Sequence, residues 1–204
     1  MVDPLAGSLS DAGRNREVVA AHHRRKDVVV VRYDFDFRDA TTQDASFIEL
    51  MALAAANWLP DRQMSLDQLR SEPDLHHYAA GWPRGGDMGV IAIDSTKSPI
   101  GAVWLRQFSP DDRGYGYVSA DVPELSIGVV DEWRGRGVGR ALMRAQVHQA
   151  RSRGIHTLSL SVERANPAVS LYLSEGWLVV QSGRDSDTMV LIDHSSEVPP
   201  AGVS

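Results

Sequence analysis

The chain has 204 residues, 43% of them hydrophobic and 24% charged, with a formal net charge of −6 and no cysteine. This is the composition of a globular chain long enough to bury a sizeable core in one domain; it excludes disulfides and cysteine-based zinc sites and argues against general nucleic-acid binding. No run of 18 apolar residues occurs, so no membrane span is expected, and the start of the chain reads as no secretory signal, which makes a cytoplasmic protein the expectation.

Residues 1–32 read as an N-terminal extension. They are polar and mixed in charge up to the basic cluster His22-His23-Arg24-Arg25-Lys26, then β-prone at Val28-Val29-Val30-Val31. A mobile arm is the plain reading, and an arm that touches a partner the other. The alternation in 35–40 predicts a strand with Phe35 and Phe37 on one face. Thr42 or Asp44 is placed to cap a helix over 45–57, and a second helical piece spans 65–70. The stretch 73–86, rich in His, Trp and Gly, shows no periodicity and receives no assignment.

Two antiparallel strands are expected at 88–93 and 100–108, joined by a polar turn. A loop with a possible strand edge fills 109–122 before a short apolar strand, Leu125 to Val130. A helix over 138–153 carries apolar residues at helical spacing (Val138, Ala141, Leu142, Ala145) and stops at Gly154. Strict alternation in 158–162 predicts a strand, and Asn166 opens a turn and short helix before a strand that starts at Trp177. A last strand is expected at 189–192, and residues 194–204 read as a solvated tail. No internal repeat is found.

Between the strand ending at Val130 and the long helix lies Arg134-Gly135-Arg136-Gly137-Val138-Gly139-Arg140. Glycines let backbone amides approach a ligand, a helix start favours an anion, and three arginines add positive charge. A phosphate or pyrophosphate is the simplest ligand. A dinucleotide fingerprint fails, because its last glycine falls on Arg140 or Leu142, and no P-loop string occurs. What remains, Arg134-x-x-Gly137-x-Gly139, resembles the pyrophosphate loop [QR]-x-x-G-x-[GA] of the GNAT N-acetyltransferase superfamily. Downstream, Asn166-Pro167-Ala168, Leu171-Tyr172 and Gly176-Trp177 resemble the family's second signature, N-[Px]-A…L-Y…G-[FW]. Asparagine and tyrosine stand one residue closer than in many members, and Trp177 replaces the usual Phe.

The resemblance implies an α/β (α+β) GNAT fold over about residues 33–193, with a mixed, mostly antiparallel central sheet and helices on both faces. It implies acetyl-CoA as co-substrate, a primary amine as acceptor and direct attack in a ternary complex. The backbone of Ile127, Gly128 and Val129 would pair with pantetheine, one of their N–H groups polarising the thioester carbonyl. Amides from Arg134, Gly135, Arg136, Gly137, Val138, Gly139 and Arg140 would hold the pyrophosphate, and Asn166 would contact pantetheine, unless it only caps the following helix. Tyr172, a phenol protonated at neutral pH, is the candidate general acid. Glu124 is the candidate base and Glu163 its runner-up.

Trp58 and Trp82 are candidates to line an acceptor pocket. No metal is expected: His22-His23 and His76-His77 are adjacent pairs, and His148 and His156 lack partners at ligand spacing. Aminoglycoside, polyamine, amino acid and protein amines all remain open as acceptors, and a homodimer is possible from the family's habits. A non-catalytic acyl-CoA-binding sensor of the same fold, and transfer of a longer acyl group, are the alternatives.

Overall fold

The computed structural model describes residues 33–193; the N-terminal extension with its valine run and the 194–204 tail lie outside the described residues. Seven strands form one sheet in the order β1-β2-β3-β4-β5-β7-β6. They are β1 Phe35–Asp39, β2 Met88–Asp94, β3 Pro99–Arg106, β4 Glu124–Val129, β5 Thr157–Glu163, β6 Leu178–Ser182 and β7 Ser186–Ile192. Every neighbouring pair is antiparallel except β4 and β5. Those two are parallel because the long helix α4, Val138–Ser152, carries the chain back between them.

Helices cover both faces. One face packs against α1, Ala45–Ala56, and α2, Leu66–Ser71, through Ile48, Met51, Leu69, Ile91 and Trp104. The other packs against α4 and α5, Ala168–Ser174, through Val103, Leu125, Leu142, Leu160 and Trp177. Each fully buried side chain of this kind is worth about 1.5–3 kcal/mol of transfer free energy. The alternation in β5 sends Leu158, Leu160 and Val162 into the α4 side, while Ser159 turns to the α1 side and is also buried. Gly128 lets α1 lie close on β4: a Cβ there would stand 2.3 Å from the Met51 carbonyl oxygen.

Several sequence expectations are corrected. Neither Thr42 nor Asp44 caps α1 with its side chain; Thr41 caps a 3-10 turn, Thr42–Asp44, just before it. The Asp44 carboxylate instead accepts from the Thr41 amide at 2.7 Å and pairs with Arg38 at 2.6 Å. The unassigned stretch contains a short helix α3, Pro73–His76, followed by turns. The possible strand edge in 109–122 reduces to one isolated bridge, Ser109 to Asp112.

A buried ion pair ties the turns after α3 to the sheet. Arg106, at the end of β3, is fully buried and meets the Asp87 carboxylate at 2.5 Å. Its other terminal nitrogen donates to the carbonyls of His77 at 2.6 Å and Ala80 at 3.0 Å. The chain around Tyr78 is thereby pinned over the start of β4.

Candidate active site

The site is built around the split between β4 and β5. Ladder pairing occurs at one position, Glu124 opposite Ser159, supported by the Ser159 amide donating to the Pro123 carbonyl at 3.1 Å. From Leu125 to Val129 the β5-facing backbone of β4 has no ladder partner, so its polar groups are open to an extended ligand. Ile127 and Val129 turn their side chains to the α4 face and Gly128 faces α1, which leaves backbone as the contribution these three make to the split.

At the far end of β4 the glycine–arginine loop leads into α4. Gly135 and Gly137 have φ of +72° and +82°, in the left-handed region. Gly137 is the N-cap of α4, and no side chain caps that helix. Its first-turn amides therefore point into open space with positive potential, the arrangement an anion needs. A pyrophosphate fits on these grounds: a Cβ at Gly135 or Gly137 would meet nothing within 4 Å. Val138 buries its side chain in the core and offers only backbone, and a Cβ at Gly139 would stand 3.9 Å from the Ile127 and Val129 side chains.

The three arginines have separate jobs. Arg134 donates to the carbonyls of Val129 at 3.2 Å and Ala54 at 3.1 Å, which fixes the loop to β4 and α1. Arg136 lies over the Trp133 ring, 5.1 Å from its centroid. Arg140 pairs with Glu175, as does Arg144 at 2.7 Å, so its charge serves to join α4 to α5. An open cleft of about 440 Å³ lined by Asn57, Trp58, Arg62, Met64, Asp131 and Arg134 joins the α1–α2 connection to this loop.

Tyr172 and Asn166 come from the segment after β5. Tyr172 is buried, its ring 6.0 Å from that of Trp177 in an edge arrangement, and burial pushes its phenol up to about 12. Asn166 uses its carbonyl oxygen to accept from the Ala168 amide at 2.9 Å, capping the turn into α5. That leaves its side-chain NH2, which has no acceptor among the described residues, for a ligand.

Glu124 sits at the base of the split with 3% of its surface exposed. Burial raises its pKa to about 7, against two hydrogen bonds that pull it down. Oε1 accepts from the Tyr78 hydroxyl and the Gly116 amide, both at 2.8 Å. Oε2 is buried with no partner among the described residues. Glu163 differs in every respect: it is half-exposed and paired with Arg62 at 2.6 Å, which lowers its pKa. A lowered pKa makes it a weaker base than Glu124.

Sequence reasoning missed Tyr78, Gly114 and Gly116. Gly114 and Gly116 bring the 109–122 loop onto Glu124, since a Cβ at Gly114 would stand 2.2 Å from Oε2 and one at Gly116 2.5 Å from the Leu160 backbone. The Gly114-Tyr115-Gly116-Tyr117 alternation was the available signal. Trp82 is buried in the core, where its indole donates to the Thr41 carbonyl at 3.0 Å. Trp58 does line the cleft beside Arg134. Among the described residues no group of three His, Cys, Asp or Glu is placed to hold a metal ion.

A split parallel pair, a glycine loop at the following helix and a buried carboxylate at the foot of the split thus lie together on β4 and its flanks. A model of the acetyltransferase (GNAT) family matches residues 49–177, and the chain belongs to that family. Among curated proteins, mycothiol acetyltransferase of Corynebacterium glutamicum is 29% identical over 138 residues, covering 64% of this chain and 44% of that protein. The chain thus spans less than half the length of this relative. The PaiA N-acetyltransferase of Thermoplasma acidophilum, solved with coenzyme A, superposes with a TM-score of 0.55 at 15% identity, over 78% of this chain and 99% of that one. YncA of Salmonella typhimurium, solved with its cofactor acetyl-CoA, gives 0.54 at 22% identity over 83% and 100%. These two likenesses bear on the fold.

Proposed function

We propose that the protein is an acetyl-CoA-dependent N-acetyltransferase that serves a primary amine by direct attack in a ternary complex. The observation that carries this reading is Glu124, a buried carboxylate at the foot of the split with its pKa pushed up to about 7. A base is most effective when its pKa lies near the working pH, and a carboxylate is rarely buried without a charged partner unless it has such a task.

Backbone amides from Arg134 to Arg140 hold the pyrophosphate, and the open edge of β4 at Ile127, Gly128 and Val129 holds the pantetheine arm, with an N–H at the thioester carbonyl. The Asn166 NH2 adds a contact to the same arm. Glu124 takes the proton that keeps the acceptor amine from attacking. Tyr172, held neutral by burial, supplies a proton to the departing thiolate. The thioester itself contributes an activated acetyl group.

No described helix is long and apolar enough to cross a membrane, and a cysteine-free chain suits a cytoplasmic setting. The acceptor panel for assay includes a mycothiol-type amine, because the curated relatives carry that name, beside polyamines, aminoglycosides, amino acids and peptide N-termini.

The test is Glu124→Gln, assayed by release of coenzyme A across that panel. Turnover is expected to fall about 100-fold or more, with acetyl-CoA affinity within a few-fold of wild type. Wild-type turnover would remove Glu124 as base. Tight acetyl-CoA binding with no release of coenzyme A on any acceptor, in the wild-type protein, would favour the sensor.

A further inference from the structure

Glu124 is held by groups to which the reaction assigns no role, and their hydrogen bonds have only one consistent direction. The Tyr78 hydroxyl lies 2.8 Å from Glu124 Oε1 and 2.5 Å from the backbone nitrogen of Tyr115. The Tyr115 amide can only donate, so the single hydroxyl proton of Tyr78 must go to Glu124. The Gly116 amide gives the same oxygen a second donor at 2.8 Å. Burial, with the adjacent Glu124 charge second, pushes the Tyr78 phenol well above its ordinary value, so it stays a donor throughout the working range.

The charged neighbours of Glu124 are occupied. Arg106, its cross-strand partner on β3, gives its charge to Asp87 and its remaining contacts to the His77 and Ala80 carbonyls. His77, whose ring lies 4.8 Å from that of Tyr78, is bonded to Asp112 at 2.7 Å. From β5 the facing residue is Ser159, which carries no charge. Tyr78 and Gly116 are therefore the two groups that stabilise the ionised carboxylate.

We propose that Tyr78 is a positioning residue for Glu124: it commits Oε1 as an acceptor and fixes Oε2 as the atom that takes the proton of the acceptor amine. The inference rests on the reading of Glu124 as the base. In the step, an N–H bond of the ammonium breaks, its electron pair stays on nitrogen, and the proton bonds to Oε2, directly or through one water. Oε2 has no competing donor among the described residues. Glycine at 114 lets the loop lie over that buried oxygen without a side chain striking it, since a Cβ there would fall 2.2 Å from it.

The test uses the full chain labelled with ¹³C at glutamate Cδ, with the Glu124 resonance assigned by its absence in Glu124→Gln. In wild type this carbon is expected to titrate with a midpoint of about 7. In Tyr78→Phe the midpoint moves up by about one pH unit or more, because a donor to the charged form is gone. Phenylalanine keeps the ring contacts to Phe108 at 5.0 Å and Tyr115 at 6.2 Å, so the fold is retained.

The acid limb of kcat/KM for the best acceptor of the panel moves by the same amount, and activity recovers to within about threefold above it. An unmoved Glu124 midpoint, or a uniform loss of activity at every pH, would overturn the positioning role and leave Glu124 as base. Full turnover in Glu124→Gln would overturn the base, and this proposal with it.

Discussion

Asp87→Asn is predicted to be among the most damaging single substitutions outside the apolar core. Arg106 is fully buried and Asp87 nearly so, with side chains 0% and 2% exposed and a closest contact of 2.5 Å. The Arg106 Nε also lies 3.2 and 3.3 Å from the two carboxylate oxygens. Asparagine has the same shape, but it cannot balance the guanidinium, and its NH2 sets donors against donors. Removing one partner of a buried pair costs about 3–5 kcal/mol.

Domains of ordinary stability hold about 5–15 kcal/mol in total, so much of the margin is at stake. With a urea m-value of about 2 kcal/mol/M, the midpoint of unfolding falls by about 2 M. The assay is urea denaturation followed by circular dichroism, with m compared between variants. Arg106→Met combined with Asp87→Leu removes both charges and is expected to recover most of the loss. A midpoint change below about 0.5 M for Asp87→Asn would refute the argument, since it would mean the guanidinium is solvated or otherwise paired.

Gly137→Glu is expected to weaken acetyl-CoA binding by at least about 100-fold in calorimetry, by placing a negative charge at the N-terminus of α4. Gly137→Ala carries the same left-handed φ strain, about 1–2 kcal/mol, without the charge, and should bind within about 30-fold of wild type, the most that strain alone can cost; wild-type affinity in the glutamate variant would sink the pyrophosphate site. Tyr172→Phe should lower turnover about 10–100-fold with acetyl-CoA affinity unchanged, and unaltered turnover would end its assignment as the acid.

Local pattern sufficed for the parts of the molecule whose physics is local. Alternation in 158–162 located β5, and the glycine stop at 154 ended α4 within a residue or two. The glycine–arginine loop was legible because the left-handed φ at Gly135 and Gly137 before α4 is a backbone demand that glycine meets. The spacing did not reveal where the Arg140 side chain goes: it pairs with Glu175 just after α5, a contact no nearby residue announces.

Tyr78 was illegible because it follows a four-residue helix in a stretch without periodicity. Its place is set by Arg106, which is near in space and 28 residues away in sequence. Trp82 looked like a pocket residue only because it shares that stretch; its surroundings, Ile48, Leu69 and Trp104, come from three other elements. By itself the amino-acid order determined most of the elements and the family signatures, which depend on neighbours along the chain. Only the tertiary structure decided which carboxylate is buried, what faces it and how far its pKa moves, because desolvation is a property of everything packed around a group.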